Sequence, residues 1–314
     1  MHLKGSMVNS LNDKTMDNNN ISIVLAVHNG EKYIRKLFDS LIAQEDVIIQ
    51  ELIVVDDKST DTSIEIIKTF QQKYPNIRLI ANHENLGPIK SFIEGAKLTS
   101  SRYVAFADQD DIWKPTKLSL CLELLKKIEI DNKPSMVFSD LEMIDENDTH
   151  LYDSFWDLYR IRPVKNNLFT ILFGNIVTGC TMIINRSMVN EFVEMPVTAP
   201  MHDHWIALIA YAFGNVAYLE DTTVLYRVHN NSVTNKHKVT FKQTIVNFLD
   251  ASFGNKSKFL EDYINQAILF KLKYANKLNG PVNRQLNYFI RLKNASGFVR
   301  KLNSKFRFLP RNWA

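Results

Sequence analysis

Apolar positions along this chain follow two alternating rhythms from Ile21 onward. The run Ile21-Ser22-Ile23-Val24-Leu25-Ala26-Val27 is short and nearly continuous, which predicts a strand covered on both faces. Beyond it, Ile34, Leu37, Phe38, Leu41 and Ile42 recur at the i, i+3, i+4, i+7, i+8 spacing of one helical stripe. Leu52-Ile53-Val54-Val55 predicts a second strand. The helix after it carries Ile66, Ile67 and Phe70 on one face and opens with Thr62 and Glu65 at capping-box spacing. A third strand over Ile77 to Ile80, a helix over Pro88 to Leu98 with Ile89, Phe92 and Ile93 on one face, and a fourth strand over Tyr103 to Ala107 complete the series. The alternation predicts an α/β fold, a mostly parallel central sheet flanked by helices. Such sheets bind ligands in the crevice beyond the carboxyl ends of their strands.

Past the amphipathic helix Leu118 to Ile128 the pattern becomes mixed. Met136 to Phe138, Thr181 to Ile184 and Val224 to Tyr226 read as strands with longer connections. After Lys238, Phe259, Tyr263, Ile264, Ala267 and Ile268 return to helical spacing. The expected organisation is a leader or cloning remnant over 1–20, one domain over 21–235, and a helical carboxy-terminal appendage over 236–314. The domain divides into a nucleotide-binding half (about 21–115) and an acceptor half (about 116–235).

Composition changes this picture in three places. The polar segment Met1 to Asn20 lacks the apolar core of a signal peptide, and no apolar run approaches the roughly 20 residues that cross a bilayer, so a cytoplasmic location is expected. Cys121 and Cys180 have no metal-ligand spacing and read as buried small residues. The net charge of +4 hides an asymmetry: of the 38 Lys and Arg and 34 Asp and Glu, 16 basic and three acidic residues lie from Lys236 onward, leaving the tail +13 and the body −9. In that tail Lys271, Lys273, Lys277, Arg284, Arg291, Lys293, Arg300, Lys301, Lys305, Arg307 and Arg311 interleave with Phe298, Phe306, Phe308, Leu309 and Trp313. Cations beside aromatic groups suit peripheral attachment at the inner face of the cell membrane. A solvated helix face, a homo-oligomer contact and nucleic acid are the alternatives, and no nucleic-acid partner is expected.

Chemistry gathers where the strands end. The first runs into Val27-His28-Asn29-Gly30-Glu31, the second into Asp56-Asp57-Lys58-Ser59-Thr60-Asp61, and the fourth into Asp108-Gln109-Asp110-Asp111. Carboxylates converging in one crevice repel one another and need a cation, a hydrogen-bonding ligand or raised pKa values. Oxygen ligands suit Mg²⁺ or Mn²⁺. Neither G-x-G-x-x-G nor a Walker loop occurs, which disfavours dinucleotide binding and P-loop phosphoryl transfer.

The succession Ile23 to Glu31, Val54 to Asp61, Asn85-Leu86-Gly87 and Phe106 to Trp113 resembles the family 2 glycosyltransferases of the GT-A fold over roughly residues 20 to 235. Ala107-Asp108-Gln109-Asp110-Asp111-Ile112-Trp113 and Met201-His202-Asp203-His204-Trp205 are most similar to the bacterial rhamnosyltransferase branch. The resemblance implies Asp203 as catalytic base. It implies Asp56 as a nucleobase contact, with Val27, Asn29 and Glu31 lining the pocket and Asp57, Lys90, Asp108 and Gln109 also on the nucleotide-sugar. It implies Asp108 and Asp110 as the D-x-D pair, Asp110 the more direct metal ligand, and His229 as completing the metal and diphosphate site. Two departures stand out: Lys90-Ser91 replaces a common Arg-Asn pair, and His202 stands where a glutamate is common before the base.

Independently of the resemblance, departure of a nucleotide diphosphate calls for charge stabilisation, and an acceptor hydroxyl calls for a base. The implied reaction is inverting transfer of a sugar, with dTDP-L-rhamnose as the expected donor, to a saccharide or lipid-linked saccharide acceptor in bacterial cell-surface polysaccharide assembly. A UDP-hexose or UDP-N-acetylhexosamine donor is the alternative. Rival classes are a glycoside hydrolase, which needs two carboxylates and no metal, and a carbohydrate-binding module without catalysis. Asp57, Ser59, Thr60, Asp61 and Thr62 also suit a turn and a helix cap, the preferred reading for Asp61 and Thr62. Trp113, Trp156 and Trp205 suit packing as well as sugar stacking, with Trp156, Trp205 and His202 kept as acceptor-side candidates.

Overall fold

The computed structural model describes residues 19–229 and 257–294. The expected leader apart from its last two residues, the linking stretch 230–256, and the basic and aromatic segment 295–314 lie outside the described residues.

The first half alternates as the apolar runs require: β1 (Asn20–Val27), α1 (Ile34–Ile42), β2 (Ile48–Asp56), α2 (Ser63–Lys73), β3 (Ile77–Ala81), α3 (Pro88–Lys97) and β4 (Tyr103–Asp108). Ile34, Leu37, Phe38 and Leu41 bury the predicted stripe of α1, and Ile67 and Phe70 that of α2. The capping box expected at Thr62 and Glu65 does not form. Thr62 instead gives both its backbone N–H and its hydroxyl to the long-range carboxylate of Glu31, at 3.0 and 2.7 Å.

A two-residue strand β5 (Ile112–Trp113) and α4 (Lys117–Ile128) lead into the second half. There β6 (Ser135–Ile144), β7 (His150–Tyr152), short helices α5 (Phe155–Leu158) and α6 (Leu168–Leu172), β8 (Ile183–Asn185), α7 (Arg186–Phe192), α8 (His202–Phe213) and β9 (Asn215–Arg227) follow. The described strands form one nine-stranded sheet in the order β3-β2-β1-β4-β8-β6-β9-β5, with β7 beside β6. β1, β2, β3, β4, β6 and β9 run in one direction, and β5, β7 and β8 run against it. In-register pairing sets Val27 beside Asp56, and Ala26 beside both Val55 and Asp108. Three polar strand ends therefore emerge along one edge.

Two cores cover the two faces of the sheet. One joins α1, α2 and α4 to the strands; the other joins α3, α6, α7 and α8 to α9 (Ser257–Lys273) and α10 (Gly280–Arg291). Ile264, Ala267, Phe270, Leu286 and Phe289 sit in this second core with Trp205. The carboxy-terminal helices, expected as an appendage, thus share a core with α3, α6, α7 and α8. Each such side chain contributes about 1.5–3 kcal/mol relative to exposure. Among the described residues no helix is long and apolar enough to cross a membrane. Cys121 and Cys180 are free thiols, both buried.

Candidate active site

The loops after β1 and β2 are stitched to each other. The Asn29 backbone N–H donates to Ser59 Oγ at 2.9 Å and the Asn29 carbonyl oxygen Oδ1 accepts from Thr60 N at 2.8 Å. Glu31 Oε2 accepts from Thr62, while Asp61 Oδ2 accepts from the Glu31 N–H at 3.0 Å. Asn29 and Lys58 adopt φ of 52° and 63°, a turn geometry that asparagine tolerates better than most residues. Asn29 and Glu31, expected at the nucleotide, have hydrogen-bonding atoms committed to building this wall. Val27 is buried beneath it.

Gln109 is committed too. Its Oε1 accepts from His28 N at 2.8 Å and its Nε2 donates to His28 O at 3.0 Å, so the side chain acts as a strand partner to the first loop. A Cβ on Gly30 would lie 2.7 Å from Gln109 Oε1, so a larger residue there would push the Gln109 amide off His28. The amide expected on the nucleotide-sugar instead fastens the acidic loop to the β1 loop.

Asp56 and Asp57 are adjacent but opposite in use. Asp57 accepts from Asn82 Nδ2 at 2.9 Å, Leu86 N at 2.8 Å and Gly87 N at 2.7 Å. Burial pulls its pKa up, but the bonds from Asn82, Leu86 and Gly87 outweigh that and hold it below the ordinary carboxyl value. It pins the Asn85-Leu86-Gly87 turn, where Gly87 takes φ 82° before Pro88 opens α3. Lys90 is exposed in the first turn of that helix. Asp56 is 0 % exposed; Oδ1 accepts from Ser59 N at 3.0 Å, and Oδ2 is buried with no partner among the described residues. A buried acceptor at a strand end suits a ligand N–H, since its unpaired state costs about 1–3 kcal/mol.

Beyond β4 the carboxylates converge. Burial, then the charges of Asp110 and Asp203, push the pKa of Asp108 up to about 7. Burial, then Asp110 and Asp108, push Asp111 well above its ordinary value. Asp110 Oδ2 lies 2.7 Å from His229 Nε2. Carboxylate oxygens of Asp108 and Asp111 and the Cys180 sulfur fall within 4.8 Å of one another, and Asp111 Oδ2 is a buried oxygen without a partner among the described residues. No sequence signal points to Cys180 in this cluster, because its place there comes from a 3-10 turn over Gly179–Thr181 far along the chain. Burial and the neighbouring carboxylates push the Cys180 thiol up, so it is neutral and a poor ligand for a hard cation. The oxygens of Asp108 and Asp111 are the part of this group that suits a hard cation, while Asp110 and His229, expected as ligands, pair with each other beside it.

Arg227 holds this loop in place, a role with no motif to signal it in the sequence. Its enclosed side chain donates from Nε to Asp110 O at 2.8 Å and from Nη1 to Asp145 O at 2.8 Å, pairs with Asp148 at 2.6 Å, and lies 4.5 Å from the Tyr33 ring centroid. The Arg227 N–H donates to Asp111 Oδ1 at 3.1 Å. Only a dense partner set makes a buried guanidinium tolerable.

Asp203 comes from the first turn of α8, not from its N-cap, which is Met201. Burial raises its pKa to about 6, against hydrogen bonds from His204 N–H and the Asn175 side chain that lower it. A Cβ on Gly179 would lie 3.8 Å from Asp203 Cβ, and the next residue of that turn, Cys180, belongs to the cluster with Asp108 and Asp111. His202 supplies none of this support. Its ring stacks 4.4 Å from Phe92 and meets the rings of Phe106 and Phe192, and burial lowers its pKa to about 4, which keeps it neutral.

The acceptor-side tryptophans are corrected by burial. Trp205 is 0 % exposed against Phe270 and Tyr274, and Trp156 is 6 % exposed against Phe138 and Tyr218. Neither ring has a face free for a sugar. Both fill the second core.

The family profile "Glycosyl transferase family 2" matches residues 22–192, more than half of the chain. The chain belongs to this family. Among its relatives, the dTDP-rhamnosyl transferase RfbG of Shigella flexneri is 28% identical over 221 residues, 66% of this chain and 72% of that protein. The putative teichuronic acid biosynthesis glycosyltransferase TuaG of Bacillus subtilis is 27% identical over 231 residues, 72% of this chain and 86% of that one. Among solved structures, S. aureus TarS 1-349 in complex with UDP-GlcNAc aligns with TM-score 0.55 and 16% identity over 92% of this chain and 89% of that chain. The mannosyltransferase PcManGT from Pyrobaculum calidifontis, in complex with GDP-Man and Mn²⁺, aligns with TM-score 0.54 and 13% identity over 91% of this chain and 84% of that one. At these identities the structural likeness speaks for the fold, a GT-A arrangement. This family 2 glycosyltransferase therefore carries its acidic loop and Asp203 on a scaffold shared with transferases.

Proposed function

We propose that the protein is an inverting, divalent-metal-dependent glycosyltransferase that uses dTDP-L-rhamnose in bacterial cell-surface polysaccharide assembly. The observation that carries the reading is the turn Gly179–Thr181, which meets both sides: Cys180 lies within 4.8 Å of the Asp108 and Asp111 carboxylates, and a Cβ on Gly179 would lie 3.8 Å from Asp203 Cβ on α8. Asp56 Oδ2 supports a nucleobase N–H, which thymine and uracil both offer, so the base alone does not choose between dTDP and UDP. Lys90 and the α3 turn are assigned to the phosphate side.

Asp108, Asp110 and His229 would hold Mg²⁺ or Mn²⁺, which supplies charge stabilisation for the departing nucleotide diphosphate. Asp203 accepts the proton of the acceptor hydroxyl as that oxygen bonds to the anomeric carbon and the bond from that carbon to the leaving phosphate oxygen breaks. A single in-line displacement inverts the anomeric centre. A carboxyl with pKa about 6 suits the task, since a base nearer the working pH accepts a proton more readily than one at 3.8. The match of residues 22–192 to the family 2 glycosyltransferase profile disfavours the glycoside hydrolase reading.

The donor is tested by thermal stabilisation with dTDP-, UDP- and GDP-sugars, each with and without Mn²⁺. We expect dTDP-L-rhamnose with Mn²⁺ to raise Tm most; saturation at 100 Kd adds about 2.7 kcal/mol. A larger shift with a UDP-hexose or UDP-N-acetylhexosamine would replace the donor assignment. The name of RfbG is the support for rhamnose.

Peripheral attachment through the basic stretch 295–314 is part of the same proposal. The full chain is expected to co-sediment with anionic but not neutral vesicles, and salt should release it. A chain ending at Asn294 keeps α9 and α10 in the core and should lose sedimentation while retaining donor binding. Equal partition of the two chains would assign the tail to an oligomer contact or a solvated face.

A further inference from the structure

We infer that Gln266 on α9 is a positioning residue for Asp203, so that the carboxy-terminal helices belong to the transfer site. This rests on the reading of Asp203 as the base. Gln266 is 0 % exposed, and an amide buried on an otherwise apolar helix face is costly unless all its groups are bonded. Its Oε1 accepts from Met201 N at 3.1 Å and its Nε2 donates to Met201 O at 3.2 Å, which fixes the orientation of the amide. Met201 is the N-cap of α8, and its carbonyl also accepts the helical bond from Trp205 N at 3.2 Å. Fixing both backbone groups of Met201 fixes where α8 begins, two residues before Asp203.

The same Nε2 lies 3.0 Å from His204 Nδ1. Since the amide nitrogen only donates, Nδ1 is the acceptor, and Nε2 carries the proton that it gives to Ile171 O at 2.9 Å. His204 is thereby held neutral and immobile. Its backbone N–H donates to Asp203 Oδ1 at 2.7 Å, so the grip on the imidazole is transmitted to the carboxylate. One turn earlier on α9, and on the same face, the Tyr263 hydroxyl accepts from Asn175 N at 3.2 Å. The Asn175 side chain is locked to both backbone groups of Val177 and hydrogen-bonds Asp203. Tyr263 and Gln266 therefore grip the two chain segments that bond the Asp203 carboxyl, as a second layer behind a catalytic group does.

The test compares Gln266→Leu, which keeps volume but removes every bond of the amide, Tyr263→Phe, which removes one acceptor, and Asp203→Asn. Gln266→Leu should lower kcat about 10-fold or more, because small misplacements of a reacting group are costly in rate, while the donor KM and the donor Kd stay within about twofold. Tyr263→Phe should lower kcat in the same direction by about threefold and carries the test if Gln266→Leu fails to fold. Added to Asp203→Asn, either substitution should leave the residual rate unchanged, since its effect runs through Asp203. Normal kcat in both α9 variants, beside an inactive Asp203→Asn, would overturn the positioning role alone. That role is equally overturned if they lower the residual rate of Asp203→Asn, or if kcat and donor affinity fall together. A fully active Asp203→Asn would instead remove the base assignment.

Discussion

Asp203→Asn is expected to lower transfer by on the order of 10² or more while leaving nucleotide-sugar binding intact. Asparagine preserves size and still accepts from His204 N–H, but it cannot take a proton. The pH profile should carry the same signature. With the Asp203 pKa near 6, wild-type kcat should rise as pH increases through that value, and this limb should vanish in the variant. Stability should move the other way. The folded pKa lies above the ordinary 3.8, so the stability contributed by the neutral carboxyl is present below 3.8 and lost as pH rises through about 6. At neutral pH the wild type bears the cost of a buried charge that asparagine does not, and the variant should be more stable by on the order of 1–3 kcal/mol. An inactive but more stable protein excludes unfolding as the cause. Turnover near normal would place the base elsewhere.

The first half is legible in the sequence because its strands are buried on both faces: runs such as Ile21–Val27 and Leu52–Val55 stay nearly all apolar, and the helices between them keep one stripe. The second half is less so. β5 and β7 have two and three residues, too few for any period, and only Val224 to Tyr226 of β9 stand out because its first half is only partly buried. At the site, the positions of the acidic residues can be read, but their partners cannot. Asn29, Asp57 and Gln109 are the kinds of residue that bind nucleotides, yet their atoms are used across separations of about 30 to 80 residues. Trp205 shows the same limit from the apolar side. A tryptophan beside a catalytic motif suits sugar stacking until α9 and Phe270 are folded over it. Arg227 and Gln266 act by reaching back to loops that only the fold brings near.

Replacing Asp110 should have the second large effect, and it separates a ligand of the cation from a merely acidic loop. In Asp110→Ala, transfer should fall by on the order of 10² or more, and the gain in donor affinity that Mn²⁺ gives the wild type should disappear, as read by calorimetry with and without the ion. Donor binding without Mn²⁺ should change little. Like-charge repulsion explains why folding should not suffer: Asp110 is one of the charges that hold Asp108 near 7 and Asp111 above its ordinary value, so its removal relieves both. The same reasoning fixes the control. Wild type in excess chelator should match Asp110→Ala in rate and in donor affinity, because each removes the same contribution by a different route. His229→Ala should fall between wild type and Asp110→Ala, since it deletes a partner 2.7 Å from Asp110 and leaves both carboxylates. Full activity in chelator, or a Mn²⁺ dependence that survives Asp110→Ala unchanged, would mean that the loop binds no catalytic cation. Its repulsion would then have to be relieved by protonation of Asp108 and Asp111 alone.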